Sequence, residues 1–450
     1  MTRQTWIGCC TALSAVVLTT GAWCADAVPG ENSKVTFTKD ILPILQQNCQ
    51  ECHRPGGDTV AGVGAPMALI TYEEVRPWAK AMAEKVVAKE MPPWDATEAT
   101  RGLFVNERSL TAKEIDTIVR WTATGAPRGN PTDAPPAKEL PDNDGWVMGK
   151  PDLEVYLEDP YWVADDVVDI QPRFTIKITE DMLPEPRWIQ AAECRPATSM
   201  VHHTFSTVTA PAVEGHPEEM YALVSAAAGE DPQQFPDGFG NLLRPGSTVN
   251  ISMHYHKEPG PGSGKWDRSG VGIKFYPKGK EIEHKVNWGP IGDNGIGNAM
   301  FEVPPNQANW PVGWSGTFDS ETLLLSLHPH MHYRGKSMKY TAYYPDGTSE
   351  MLLDVDRYNF AWQTIYFYKE PKVLPAGTRI DAVAVFDNSE TAKAAWPEID
   401  TSQPVTFGEA STDEMMIPYV SWTHADPVKG QEYRDTMFGH RKKVLTEGVE

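Results

Sequence analysis

The feature that most limits how this 450-residue chain can fold is a series of short stretches, after residue 150, in which apolar and polar residues alternate. Alternation with a period of two places the apolar side chains on one face of a β-strand. Turn signals such as Pro345-Asp346-Gly347 separate the stretches, and no amphipathic helix pattern intervenes. The clearest stretches are 168–178, 248–256, 271–276, 323–327, 337–344, 363–368 and 379–386. This pattern predicts β-sandwiches.

A region of about 300 residues is too large for one β-sandwich, since a sandwich of the immunoglobulin type has about 100. We therefore predict two all-β, jelly-roll-like sandwiches, the first over 151–290 and the second over 291–450. The boundary is expected in the stretch 289–303, which is rich in Gly, Pro and Asn.

Residues 36–127 follow a helical pattern instead. Two Thr-x-x-Glu motifs, beginning at Thr71 and Thr111, have capping-box spacing and precede apolar residues at helical intervals. A stretch rich in Pro, Asp, Asn and Lys follows, which is typical of a linker. We predict a multidomain protein with a small all-α domain over 28–130 and a linker over 131–150.

The N-terminus has the arrangement of a secretory signal. An apolar run over 7–22 follows a short start that contains Arg3, and Ala25-Asp26-Ala27 supplies a cleavage site of small residues. We predict a signal peptide over 1–27 and a periplasmic or secreted protein with no membrane span after cleavage. An uncleaved anchor is the alternative, although the run is short for a bilayer.

The formal net charge of −21 bears on the choice of partner. Nucleic acids and anionic membranes bind basic surfaces, so neither is expected as a partner. An acidic surface permits docking of a cationic electron carrier, although many acidic proteins are simply soluble.

The sequence Cys49-Gln50-Glu51-Cys52-His53 has the spacing of a c-type haem attachment motif. Each thiol can add to one vinyl group of a haem, and the adjacent histidine then becomes the proximal ligand of the iron. A redox Cys-x-x-Cys and half a zinc site are the alternatives. No second cysteine pair exists for zinc, and a thioredoxin-type motif does not need the histidine. We predict one covalent haem c at Cys49, Cys52 and His53.

The sixth ligand of such a haem must come from the opposite side of the iron. Met91 follows a predicted helix and precedes the rigid turn of Pro92 and Pro93, and it is the preferred residue. Met67 and Met82 compete with it, and Met82 fits the apolar stripe of the helix better. The segment 37–127 resembles the single-haem cytochrome c domains that are fused to bacterial enzymes.

Three histidine motifs fall in the region of predicted strands. Their members are His202 and His203, then His254 and His256, then His328, His330 and His332. In the second and third motifs, residues two apart share one strand face and can reach one metal. The adjacent pair would point to opposite faces of a regular strand, so it requires a bend or a strand end. Imidazole suits copper, zinc, iron or nickel, and the spacing does not choose among them.

The region from about 150 to 440 resembles the ascorbate-dependent, type II copper monooxygenases, which include the peptidyl-glycine hydroxylating enzyme and dopamine β-hydroxylase. The matching motifs are His202-His203, His254-Tyr255-His256, the run from His330 to Gly335-Lys336, and Asp413-Glu414-Met415. The resemblance implies two β-sandwiches, each holding one copper ion, across a solvent-filled cleft. It implies His202, His203 and His254 as ligands of the first copper, and His330, His332 and Met415 as ligands of the second.

The sequence departs from the family at the positions that hold the peptide substrate. His328 stands where the peptide enzyme has an arginine, and Ile417 stands where it has an asparagine, whereas Tyr419 is retained. A glycine-extended peptide is therefore not the expected substrate. The family is rich in disulfides, but Cys194 is the one mature cysteine outside the haem motif, and we expect it to be a buried thiol.

The resemblance implies O2-dependent hydroxylation of an aliphatic C–H bond in a small-molecule substrate. A thioether with two imidazoles favours Cu(I), the form that binds O2, so the site of His330, His332 and Met415 would be the oxygenating one. The other copper would store an electron, and an ascorbate-like reductant or a redox protein would act as donor through the haem. His256 and His328 could each either orient a metal ligand or bind the metal directly. A non-catalytic copper-binding protein and an electron-transfer cytochrome are the alternatives.

Overall fold

The structure is a computed structural model that describes residues 34–54, 65–139, 146–227, 230–291 and 300–447. The signal peptide predicted over 1–27 lies outside these residues, as does part of the predicted linker. The chain divides into two compact units, Met1–Lys34 and Val35–Glu450. Every feature below belongs to the second unit.

The N-terminal part is helical, as predicted. Its helices are a π-helical turn at Phe37–Ile41, α1 (Leu42–Asn48), α2 (Tyr72–Val75), α3 (Ala79–Val87) and α4 (Ala112–Ala123), with 3-10 turns at Arg76–Trp78, Glu98–Thr100 and Pro131–Asp133. Both predicted capping boxes are present, one at Thr71 with Glu74 and one at Thr111 with Glu114. The helices enclose a small apolar core around the fully buried Trp121.

The first sandwich occupies the next part of the chain. Its strands are β1 (Leu153–Tyr156), β2 (Tyr161–Val163), β3 (Asp169–Ile170), β4 (Arg173–Lys177), β5 (Arg187–Arg195), β6 (Val201–Ala210), β7 (Glu219–Ala227), β8 (Gln233–Gln234), β9 (Phe239–Leu243), β10 (Thr248–His256), β11 (Lys265–Asp267), β12 (Gly270–Phe275) and β13 (His284–Lys285). One sheet has the order β1-β12-β5-β9-β13, and the other β3-β10-β6-β7. β8 pairs with β5, and β4 pairs with β10.

The second sandwich follows without a gap. Its strands are β14 (Asn287–Pro290), β15 (Glu302–Val303), β16 (Trp310–Phe318), β17 (Thr322–Met331), β18 (Gly335–Tyr343), β19 (Ser349–Val355), β20 (Tyr366–Leu374), β21 (Thr378–Phe386), β22 (Val405–Thr406) and β23 (Met416–His424). Its two sheets have the orders β14-β23-β17-β20 and β16-β21-β18-β19. β14 already belongs to the second sandwich, so the boundary between the two sandwiches lies before Asn287, a few residues earlier than the predicted boundary at 290.

The described chain is mostly β-sheet, with few helices in its N-terminal region, which agrees with the predicted sandwich-rich, multidomain class. Two details differ. The stretch 168–178 is two strands rather than one, because Pro172 cannot donate to a ladder and lies between β3 and β4. The C-terminal region is not all β: it contains α5 (Glu390–Ala395) and α6 (Pro427–Glu447). The sequence of α6 has almost no apolar stripe, so periodicity does not reveal this helix.

The helical part is joined to the second sandwich by packing as well as by the chain. Trp94 and Phe104 both lie in the core of the second sandwich, and Phe104 is fully buried. The backbone of the same segment pairs with two strands, since Thr97 N donates to Asp354 O (2.8 Å) and Val105 N donates to Phe367 O (2.8 Å). Residues 94–106 therefore act as part of the second sandwich.

Candidate metal centres

The structure brings His202, His203 and His254 together where β6 and β10 run side by side, and we call these three residues the first cluster. His203 is directly opposite His254, and the next pair joins Tyr255 to Val201, so His202 is left over. This register shift is a β-bulge, which re-aims the side chain of the extra residue. The bulge supplies the bend that the adjacent pair required, and the ligand nitrogens of His202, His203 and His254 all lie within 4.8 Å of one another.

The spacing of two of these nitrogens fits a shared metal. His254 Nδ1 and His203 Nε2 are 2.9 Å apart. Two nitrogens bound at about 2.0–2.1 Å and at right angles to one metal would be about 2.9 Å apart. In this structure the contact is a hydrogen bond between the two rings, and a bound ion would take the place of the shared proton.

A carboxylate behind the first cluster was not foreseen from the sequence. His254 Nε2 donates to Asp169 Oδ1 (2.9 Å), and His256 Nδ1 lies 3.5 Å from Asp169 Oδ2. Partial burial raises the pKa of Asp169, but the hydrogen bonds from His254 and His256 overcome that effect and hold it well below its usual range. A carboxylate on Nε2 of His254 leaves Nδ1 for the metal. His256 therefore reaches Asp169 and supports the cluster from outside.

His328, His330 and His332, which we call the second cluster, lie on β17 and directly after it, and β23 runs alongside. In the antiparallel register His328 pairs with Tyr419, His330 with Ile417, and Met331 with Met416. Residues opposite each other share a face, so the three histidines share theirs with Tyr419 and Ile417.

Two adjacent methionines of this region have different surroundings. The paired register of β17 and β23 ends at Met331 and Met416. Just beyond it, the N–H groups of His332 and Met415 donate to the same carboxylate oxygen of Glu414, at 2.9 Å and 3.3 Å. Met415 is half-buried, whereas Met416 is fully buried in the core together with Met331. The structure therefore brings the backbone of Met415 close to that of His332.

Two further side chains orient the second cluster. His330 Nδ1 is 2.7 Å from Gln363 Oε1, which fixes the proton on Nδ1 and leaves Nε2 for a metal. Glu414 accepts from the backbone N–H groups of His332 (2.9 Å) and Arg334 (2.6 Å). That bridge ties the end of β17 to the residue just before Met415. Asp-Glu-Met is visible in the sequence as a motif, but the role of Gln363 is not.

Burial keeps these imidazoles neutral. It lowers the pKa of His202 to about 3, that of His330 to about 4 and that of His332 to about 3, and neighbouring imidazoles add to the effect at His202 and His332. The pKa of His203 falls well below its usual value for the same reasons. A neutral imidazole has a free lone pair, which is the form that binds a metal.

His328 has an acidic partner of its own. Its Nε2 lies 3.3 Å from Oε1 of Glu230, and both side chains are buried. Burial raises the pKa of Glu230 to about 8 and lowers that of His328 to about 3, so both are neutral near neutral pH. Trp288 stacks on Tyr419 beside this pair, with ring centroids 4.0 Å apart. His328 stands at the position where the resemblance places an arginine.

The ring of Phe360 lies between the two clusters. It stacks on His202 with centroids 4.8 Å apart, and it meets His332 edge-on at 5.7 Å. Phe360 itself is buried. Where the resemblance implies a solvent-filled cleft, the described residues thus include an aromatic side chain in contact with both clusters.

The haem motif follows α1. His53 Nδ1 is 3.1 Å from the carbonyl oxygen of Met67, so that Nδ1 carries the proton and Nε2 is left for iron. This contact is made by the backbone of Met67, so its thioether stays a competing candidate for the sixth ligand. Met82 is buried in the helical core. Cys49 and Cys52 lie in the turn that precedes His53.

Met91, the preferred candidate for the sixth ligand, is 42% exposed. It lines a cavity of about 300 Å³ between the helical part and the second sandwich, together with Val86, Leu110 and Arg357. Neither the two thiols nor His53 are among the lining residues that the structure describes. The structure therefore shows an accessible thioether but does not bring it opposite His53 across this cavity.

Comparisons with known proteins do not identify a family. No protein-family model matches the sequence, and no curated protein matches it. Solved structures that resemble the chain include the cowpea mosaic virus top component (TM-score 0.24, 8% identity, covering 60% of this chain and 86% of that one). An oxalate decarboxylase of Bacillus subtilis is another (TM-score 0.13, 9% identity, 66% and 86% covered). At such TM-scores these likenesses bear on neither fold nor function. No helix in the described ranges combines the length and apolarity needed to cross a membrane.

Proposed function

We propose that the protein is an exported copper monooxygenase that hydroxylates an aliphatic C–H bond of a small molecule with O2. Each histidine cluster would hold one copper ion, and a c-type haem at Cys49, Cys52 and His53 would pass on electrons from an external donor. Copper in such sites supplies one-electron redox chemistry and the activation of O2. This family-level proposal rests on the resemblance and on the donor sets.

One observation carries most of the argument: Met415 is half-buried beside His332, held by the same Glu414 oxygen, while its neighbour Met416 lies in the core. A set of two imidazoles and one thioether stabilises Cu(I), the form that reacts with O2. The first cluster consists of three imidazoles and has no thioether, which suits an ion that cycles between two oxidation states without binding O2.

The chain's own groups orient the ligands. Gln363 holds the proton of His330 on Nδ1, and Asp169 does the same for Nε2 of His254. Glu414 fixes the backbone beside Met415. Phe360 occupies part of the space between the clusters, in contact with His202 and His332.

The test of this proposal is oxygen consumption by the reduced protein. Copper-loaded protein should consume O2 with an added reductant, metal-free protein should not, and two coppers should bind per chain. His254→Ala should remove one copper and leave the other. If copper binds but the reduced protein consumes no O2 with any of a broad panel of small molecules, the monooxygenase proposal fails.

One observation favours a second candidate, a copper and haem electron-transfer protein without catalysis. Phe360 lies where a substrate would be expected, between the clusters. A crystal structure of the copper-loaded protein with a bound small molecule decides between the two. Displacement of Phe360 by the molecule supports the enzyme, and an unmoved ring with no ligand in the site supports the electron-transfer protein.

A further inference from the structure

One loop contacts the helical part of the chain and both histidine clusters. We call residues 356–365, between β19 and β20, the bridging loop. At its start Arg357 donates to the backbone oxygens of Ala88 (3.3 Å), Lys89 (3.2 Å) and Trp94 (3.3 Å). Five hydrogen-bonding donors in a planar fork let one guanidinium bind several carbonyls at once. This end of the loop therefore holds the turn that carries the sixth-ligand candidate of the haem.

The next residue reaches the second cluster. The Tyr358 hydroxyl donates to the carbonyl oxygen of Met331 (2.5 Å) and accepts from its N–H (3.1 Å). Met331 stands between His330 and His332 in the chain, so Tyr358 is fixed to the strand that carries both.

The rest of the loop contacts side chains of both clusters directly. Phe360 meets the rings of His202 and His332, and Gln363 holds Nδ1 of His330. Phe360 and Gln363 are both buried, at 4% and 2% exposure. A single stretch of ten residues thus contacts the turn that carries Met91 and proposed ligands of both clusters.

We propose that the bridging loop is the electron relay between the haem and the two copper sites, an inference that rests on the function proposed above. The loop offers a direct route through the protein for an electron, because it contacts the turn that carries Met91 at one end and both clusters further along. One electron passes along it: ferrous haem becomes ferric and one Cu(II) becomes Cu(I), with no bond or proton transferred. Arg357 and Tyr358 serve the second cluster, and Phe360 extends the path to the first.

The experiment uses full-length protein with haem attached and with copper in one site at a time. His254→Ala keeps the second site, and His330→Ala keeps the first. A flash-generated flavin radical reduces the haem by one electron without oxygen, and haem absorbance follows its re-oxidation. In the wild-type chain the haem should be re-oxidised in a fast phase. Phe360→Leu should abolish this phase when only the first copper site is present, and keep it when only the second is present. Arg357→Gln should abolish the fast phase in both forms.

Phe386→Leu is the matched control, since it removes an equally buried ring from the core of the same sandwich. Haem midpoint potentials and copper EPR spectra should not change, which separates a lost path from a changed driving force. Unaltered rates in both Phe360→Leu and Arg357→Gln overturn the relay while leaving the proposed function intact. A wild-type chain that binds no haem or no copper overturns both. If Phe360→Leu does not fold, Arg357→Gln decides alone.

Discussion

At the scale of single residues, Met415 and Met416 are neighbours in the chain with different surroundings. Met416 is fully buried in the core, and Met415 is half-buried just beyond the end of β23. The sequence allowed Met415 to be either a copper ligand or a core residue. The hydrogen bonds from the N–H groups of Met415 and His332 to one oxygen of Glu414 bring the two residues close together, and copper binding by Met415 stays a prediction.

We predict that Met415→Ile keeps the fold and weakens the second copper site. Isoleucine has a similar volume, so the free energy of unfolding should fall by less than about 1.5 kcal/mol. No thioether remains to bind Cu(I), so the Cu–S scattering path in X-ray absorption of the reduced protein should vanish. Met416→Ile is the control and should retain that path. A Cu–S path that persists in Met415→Ile would falsify the assignment.

Asp169 shows that a residue can matter to a site without belonging to any motif. It lies 85 residues before His254, to which it is hydrogen-bonded. We predict that Asp169→Asn lowers the copper affinity of the first site by about 10–100-fold, because the partner that orients the ligand loses its charge. Chelator competition on the His330→Ala protein measures that site alone. Asp166→Asn, at an exposed position on the same segment, should change nothing; equal losses in both variants would contradict the prediction.

At the scale of elements, the segment 94–106 is part of the second sandwich although it belongs to the helical part in sequence. We predict that Phe104→Ala destabilises the second sandwich by about 3–5 kcal/mol, because it empties a fully buried site in that core. Denaturant unfolding followed by tryptophan fluorescence measures the loss. Trp78→Ala, at a helical position that is 41% exposed, is the control and should cost far less. Equal effects of the two changes would show that Phe104 does not support the sandwich.

At the scale of the whole molecule, the two sandwiches bury the histidines that hold the proposed metals. Burial lowers the pKa of His330 to about 4 and that of His332 to about 3. A lowered pKa means that protons compete with the metal only at lower pH, whereas ordinary histidines are already half protonated near pH 6.5.

We therefore predict that the second site retains copper at pH 5 about as well as at pH 7. The measurement is copper content after equilibration with a weak chelator at each pH, on the His254→Ala protein. Circular dichroism at both pH values checks that the protein is folded. Loss of half the copper near pH 6 in folded protein would mean that the ligands titrate as exposed histidines do.

The sequence by itself determined the features that depend on local pattern. Strand periodicity revealed the sandwich strands, and the stretch 248–256 coincides with β10. Capping boxes marked helix starts, and the spacing of cysteines and histidines marked the candidate sites. These features are readable because alternation and capping follow from the geometry of one strand or one helix.

Only the tertiary structure decided what joins those features. The bulge at His202, the carboxylate of Asp169, the amide of Gln363 and the ring of Phe360 all depend on which strands and loops come together. So does the burial of Phe104 in a sandwich that begins far along the chain. Contacts between residues distant in sequence are set by register and packing, and a one-residue shift of register would turn every side chain of a strand to its other face.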